Sequence, residues 1–113
     1  SQKDLLKKCN DWGFKNLKLY AGDVKKTTKK YVKENFGSRI SLLYLDVDNY
    51  DGTLAILKNL YSKMSKGGLI VFDEYGFKGH GESNAVDKFF EKKKVKLKSL
   101  SWANSPTSYI VKE

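Results

Sequence analysis

Several residue types are nearly missing from this chain, and each shortage removes a class of function. Cys9 is the only cysteine, so no disulfide can form within the chain. His80 is the only histidine, which with a single cysteine excludes a zinc site of the usual Cys/His kind. Pro106 is the only proline, and no Ser/Gly tract, repeat or low-complexity segment marks a linker. The 113 residues are therefore read as one domain, residues 1–113. No run reaches the roughly 18 apolar residues that span a bilayer, and Ser1-Gln2-Lys3-Asp4 leads into no apolar signal core. The expectation is a cytoplasmic protein with no membrane partner.

Arginine is scarce as well: of the 22 basic residues, all but Arg39 are lysine. A net charge of +9 would suit phosphate binding, but bidentate recognition of phosphates and guanines favours arginine. The lysines also scatter over several faces, as in Lys25, Lys26, Lys29, Lys30 and Lys33, where long stems cover apolar neighbours and solvate a surface. A nucleic-acid or anion-binding domain is the weaker alternative. Hydrophobic residues at 40% with 13% aromatics argue for a folded core despite the charge.

What is present is an alternation of helical and extended patterns. Leu5, Leu6, Cys9 and Trp12 recur at helical spacing before Gly13, a left-handed cap, and Cys9 on that face reads as a buried thiol. Asn16 to Tyr20 alternates like a strand and ends at Ala21-Gly22-Asp23, where Asp23 can cap a helix with Val24, Thr28, Tyr31 and Val32 inward, closed by Gly37. Ile40 to Leu45 is almost wholly apolar, as in a parallel strand covered on both faces, and stops at Asp46. Asp51 offers the cap of a third helix with Leu54, Leu57, Leu60, Tyr61 and Met64 buried, broken by Lys66-Gly67-Gly68. Leu69 to Phe72 is a second apolar strand, ended by Asp73-Glu74. A further helix turns Ala85, Val86, Phe89 and Phe90 inward, and the segments Leu97 to Trp102 and Ser108 to Val111 follow, joined too briefly for a crossover and so antiparallel. The fold class expected is α/β, a doubly wound parallel sheet with a terminal antiparallel strand pair.

In such sheets the ligand site lies beyond the carboxyl ends of the strands, where Asp23, Asp46, Asp48, Asp73 and Glu74 all fall. Asp46 and Asp73 stand 27 residues apart, the length of one crossover unit. On neighbouring strands, about 4.8 Å apart, their carboxylates would repel unless a proton or cation sat between them. Oxygen donors without His or Cys suit Mg²⁺, Mn²⁺ or Ca²⁺. An aspartate after a strand also often caps the next helix, and Asp48 or Asp51 could do only that.

Three blocks carry a family resemblance. Leu-Tyr-Leu-Asp46-Val-Asp48-Asn-Tyr50-Asp51-Gly-Thr53, Leu60-Tyr61-Ser-Lys-Met-Ser-Lys-Gly67-Gly68-Leu-Ile-Val-Phe-Asp73-Glu74-Tyr75-Gly76 and Ala85-Val86-Asp87-Lys-Phe89 resemble the macrocin O-methyltransferase family, and Gly22-Asp23-Val-Lys-Lys-Thr27 resembles the segment after its third strand. The resemblance implies a partial class I methyltransferase (Rossmann-like) fold, S-adenosylmethionine as cofactor, Mg²⁺ or another divalent cation, and a sugar or glycoside hydroxyl as acceptor. It implies Asp46, Asp73 and Glu74 as metal ligands with Asp48 beside them, Gly22, Asp23 and Asp46 on the cofactor side, and Asp46 or a bound water as the proton acceptor. His80, in the loop Gly79-His80-Gly81, is a candidate base or substrate contact, although a lone loop histidine is more often merely exposed.

Departures from the family pattern are Glu74, where a second aspartate is usual, Asp51-Gly52 in place of an acid-serine pair, and Ser62 in place of a proline. The family's glycine-rich turn and the acid ending its second strand would lie upstream of Ser1. This chain is thus expected to be the C-terminal half of the domain, inactive by itself. A non-catalytic or repurposed α/β module is the other alternative, and a homo-oligomer is compatible with either reading.

Overall fold

A computed structural model of the chain describes residues 1–77, 79 and 81–113. Helix α1 (Gln2–Asp11) begins with a capping box in which Ser1 and Asp4 satisfy each other's backbone, and it ends at Gly13, whose φ of +85° lets the N–H groups of Gly13 and Phe14 turn back to the carbonyls of Asn10 and Cys9. None of its residues is buried, and Cys9 is half-exposed. The expected buried thiol is therefore corrected: no other described element lies over that face closely enough to seal it. Residues 16–20 form no strand and do not pair with Ile40–Leu45, the edge strand of the sheet.

Asp23 caps helix α2 (Val24–Glu34) as expected, accepting from the Lys25 N–H at 2.9 Å. The helix ends at Glu34, before Gly37. Strand β1 (Ile40–Leu45), helix α3 (Tyr50–Leu60), a 3-10 turn (Tyr61–Lys63), strand β2 (Met64–Phe72), helix α4 (Glu82–Phe90) and strand β3 (Ser108–Val111) complete the order. Helix α3 is capped by Asn49 rather than Asp51, and it stops before Lys66-Gly67-Gly68, which lie inside β2. At Gly68 a Cβ would meet the carbonyl oxygens of Ser65 at 2.9 Å and Ser41 at 3.0 Å, so the strand passes its neighbour there only without a side chain.

The sheet order is β1-β2-β3, with β1 parallel to β2 and β3 antiparallel to it. The segment 97–102 is not a strand, since a single bridge, Lys98 to Tyr109, joins it to β3. The antiparallel character at the C-terminus therefore comes chiefly from β3 on β2. Leu45, Ile70, Phe72 and Ile110 face inward and close a core with Ile56, Leu57 and Leu60 of α3 and Val86 and Phe90 of α4, while Val24, Tyr31 and Val32 of α2 pack at its margin. All three helices thus serve one face of the sheet. The opposite face, carrying Leu42 at 58% and Tyr44 at 49% exposure, is open, which corrects the expectation of a β1 covered on both sides and of helices on both faces.

Candidate active site

The parallel register runs Leu43 to Ile70, Tyr44 to Val71 and Leu45 to Phe72. One step further along, Asp46 leaves β1 beside Asp73 leaving β2, and the Asp73 N–H donates to the Leu45 carbonyl at 3.0 Å. Two adjacent parallel strands therefore deliver both carboxylates to one edge, as their positions after two apolar runs predict.

The two acids sit in different surroundings. Asp73 accepts from the Tyr44 hydroxyl and, at 2.9 Å, from the Ser105 Oγ. These bonds, Tyr44 first, hold its carboxyl below the usual carboxylate range. The Tyr44 phenol, bonded to that anion, is pushed up to about 12. Asp46 moves the other way: the charge of Asp73, then partial desolvation and the charge of Asp48, raise its carboxyl, and the pair is close enough for a protonated Asp46 to bond Asp73. One carboxylate is held ionised and the other is driven toward its acid form, the usual outcome when two carboxyls share a site.

The connection after Asp46 is shaped by its backbone. Asp48 has a φ of +52°, a left-handed conformation that aspartate tolerates better than bulkier residues. Asn49 then accepts from the Gly52 N–H at 2.7 Å and donates to the Val47 carbonyl at 2.6 Å, fixing the loop to the start of α3. Across the site, Glu82 in the first turn of α4 is 1% exposed and accepts from the Glu74 N–H at 2.9 Å. Burial, chiefly, pushes the Glu82 carboxyl up to about 7, aided by the charges of Glu74, Asp73 and Asp48.

Asp46 and Asp73 are thus brought together with Asp48 nearby, whereas Glu74 has its backbone drawn to Glu82. Among the described residues no three His, Cys, Asp or Glu side chains form a group able to hold a metal ion. Asp23 spends its carboxylate on the α2 cap, and Gly22, at φ +125°, is the turn into it. His80 lies outside the described residues. Three participants were missed from sequence. Tyr44 stands two residues before Asp46 on one strand, so period-two alternation puts both on one side. Glu82 lies on the α4 stripe with Ala85, Val86 and Phe89, and an acid there is a visible anomaly. Ser105 reaches Asp73 from a distant turn and has no local signal.

The profile of the macrocin O-methyltransferase (TylF) family matches residues 14–109. This chain belongs to that family. Among solved structures, the macrocin-type chain is similar to two of CalS11, described as a TDP-rhamnose 3'-O-methyltransferase of calicheamicin biosynthesis. One has a TM-score of 0.81 and 28% identity, over 96% of this chain and 50% of CalS11. The other has a TM-score of 0.80 and 29% identity, over 96% and 44%. The O-methyltransferase NovP shares the fold, with a TM-score of 0.78 and 21% identity over 99% of this chain and 45% of that one. No curated protein sequence matches. The chain spans about half the length of the solved structures it resembles. The family is one of S-adenosylmethionine-dependent methyltransferases, and no described helix is long and apolar enough to cross a membrane.

Proposed function

We propose that the complete protein transfers a methyl group from S-adenosylmethionine to a hydroxyl of a sugar or related small molecule, with the Asp46–Asp73 edge as its reaction centre. The observation that carries this reading is the in-register delivery of both carboxylates from β1 and β2, in a member of a family whose solved relatives include a TDP-rhamnose methyltransferase. Gly22 and Asp23, at the head of α2, belong to the cofactor side of the same reading.

Transfer to a hydroxyl releases one proton, and Asp46 is the group suited to take it, because Asp73 has already raised its affinity for one. Asp73 is held anionic by Tyr44 and Ser105, which raises Asp46 while no cation is bound; with a cation on the pair that effect would be offset, and a bound water would take the proton instead. The donor chemistry fits Mg²⁺ or another hard divalent cation at Asp46 and Asp73, whose mutual repulsion a cation would relieve; Glu74 would have to turn from its present surroundings to join them. When bound, such an ion would lower the pKa of a substrate hydroxyl. His80, outside the described residues, remains a candidate base or substrate contact.

The test is transfer of radiolabelled methyl from S-adenosylmethionine to TDP-rhamnose and other nucleotide-linked deoxysugars by the complete protein, with and without EDTA. Label should enter a sugar, stop on chelation and return with Mg²⁺, and fall by at least about 100-fold in Asp73→Asn. Undiminished transfer in Asp46→Asn and Asp73→Asn would remove the proposed centre, and persistence in EDTA would remove the cation.

A further inference from the structure

Among the described residues Glu82 is the one charged residue in the buried class, and its Oε1 has no hydrogen-bond partner. It occupies a helix stripe otherwise apolar, where a methionine or leucine would bury at no electrostatic cost. A single hydrogen bond from the Glu74 N–H is a small return for burying a carboxyl, unless what that bond holds matters elsewhere.

What it holds is the segment after Asp73. Three consecutive residues are tied to α4: the Glu74 N–H to Glu82 Oε2 at 2.9 Å, the Tyr75 hydroxyl to Asp87 Oδ1 at 2.7 Å and the Gly76 N–H to Ser83 Oγ at 2.7 Å. On the far side, the Thr107 N–H donates to the Phe72 carbonyl at 3.1 Å, and Ser105 reaches Asp73 itself. The same end of α4 also touches the Asp46 side of the site. Gly81, at φ +75°, approaches so closely that a Cβ would lie 3.0 Å from the Tyr50 nitrogen, at the start of α3. The first turn of α4 is therefore a bridge between the two connections that carry the acids.

We propose that Glu82 is a positioning residue: through its bond to the Glu74 N–H, with Ser83 and Asp87 on the same helix, it holds the Asp73–Gly76 turn in the conformation that presents Asp73 beside Asp46. The inference rests on the reading of that edge as the reaction centre, but the clamp itself is independent of any cation. Glu82 touches no reacting atom in this scheme. It lowers the stability of the fold in exchange for a rigid turn, a trade common at functional sites.

Glu82→Met and Glu82→Gln in the complete protein separate this role from simple fold maintenance. Met fills the same volume, removes the acceptor and ends the burial of a carboxyl, whereas Gln keeps one acceptor oxygen. In Glu82→Met the thermal midpoint should hold or rise, while amide exchange at Glu74 and Gly76, read by NMR, quickens about tenfold or more and Mn²⁺ affinity, read by calorimetry, falls about 10- to 100-fold. Glu82→Gln should restore exchange at Glu74 to within about threefold of wild type. Wild-type exchange at Glu74 and Gly76 in Glu82→Met would overturn the proposal. So would a lowered midpoint with protection lost evenly through the chain, or a Glu82→Gln protein as loose at Glu74 as Glu82→Met. If wild-type protein binds no Mn²⁺, the cation reading fails alone, and the exchange rates at Glu74 and Gly76 still decide the clamp.

Discussion

Gly52 sits inside a helix, where alanine is worth about 1 kcal/mol more than glycine, so a substitution there would ordinarily stabilise. Its φ is not in the left-handed range, and the backbone raises no objection. The chief obstacle is Asn49, because a Cβ on residue 52 would lie 2.9 Å from Asn49 Oδ1 and 3.3 Å from its Nδ2, with the Val24 Cγ2 methyl also at 3.3 Å. Those two atoms make the cap to the Gly52 N–H and the bond to the Val47 carbonyl. Moving the side chain away forfeits a cap worth about 1 kcal/mol and a second hydrogen bond worth about 0.5–1.5 kcal/mol. The losses exceed the propensity gain, and Gly52→Ala should destabilise by roughly 0.5–1.5 kcal/mol.

In an Asn49→Ala background only the Val24 methyl contact remains, so Gly52→Ala should be less destabilising there by roughly 1–2 kcal/mol, the cap and hydrogen bond it disrupts being already absent. Urea unfolding of the four proteins, compared at constant m, measures the cycle. A Gly52→Ala effect equal in both backgrounds would show that the glycine is not there for the asparagine, and that the loop leading from Asp46 to α3 is held by something else.

Three further outcomes are expected. Asp46→Asn should stabilise the fold at neutral pH, because a carboxyl raised in the folded state contributes stability at low pH and loses it as pH rises through its folded value; methyl transfer should fall about 100-fold or more in the same protein, and a less stable, fully active variant would contradict both. Glu82, raised from the ordinary carboxylate value of 4.5 to about 7, should make wild-type stability decline as pH rises between about 4.5 and 7. Denaturation of Glu82→Gln across that range should be flatter, and parallel profiles would refute the assignment. Leu57, 0% exposed between α3 and the sheet, should cost about 2–5 kcal/mol on truncation to alanine, seen as a lower urea midpoint; a loss below 1 kcal/mol would mean that the site collapses around the gap.

The strongest signals in the chain were the apolar runs ending in acid. Residues 40–45 and 69–72 became neighbouring parallel strands, and Asp46 and Asp73 emerged together, because a buried strand is legible as an unbroken hydrophobic run and its end as the first charge. The Asp23 cap and the Gly13 turn were legible for similar local reasons. Errors came where the outcome depended on a partner. Asn16 to Tyr20 alternates like a strand but does not join the sheet, and 97–102 gains only one bridge. Asn49 outcompeted Asp51 as a cap because the left-handed turn at Asp48 aims it at the Gly52 N–H.

Sequence by itself determined the alternation of strands and helices, the acids at the strand ends and the family to which the chain belongs, since all of these are written in local order and composition. Tertiary structure alone decided that the helices cover one face, that Tyr44 and Ser105 hold Asp73 ionised while Asp46 is driven toward its acid form, and that Glu82 is buried against the turn after Asp73. Each of those depends on distances between residues far apart in the chain, and electrostatic and hydrogen-bond energies change with ångströms that no local pattern encodes.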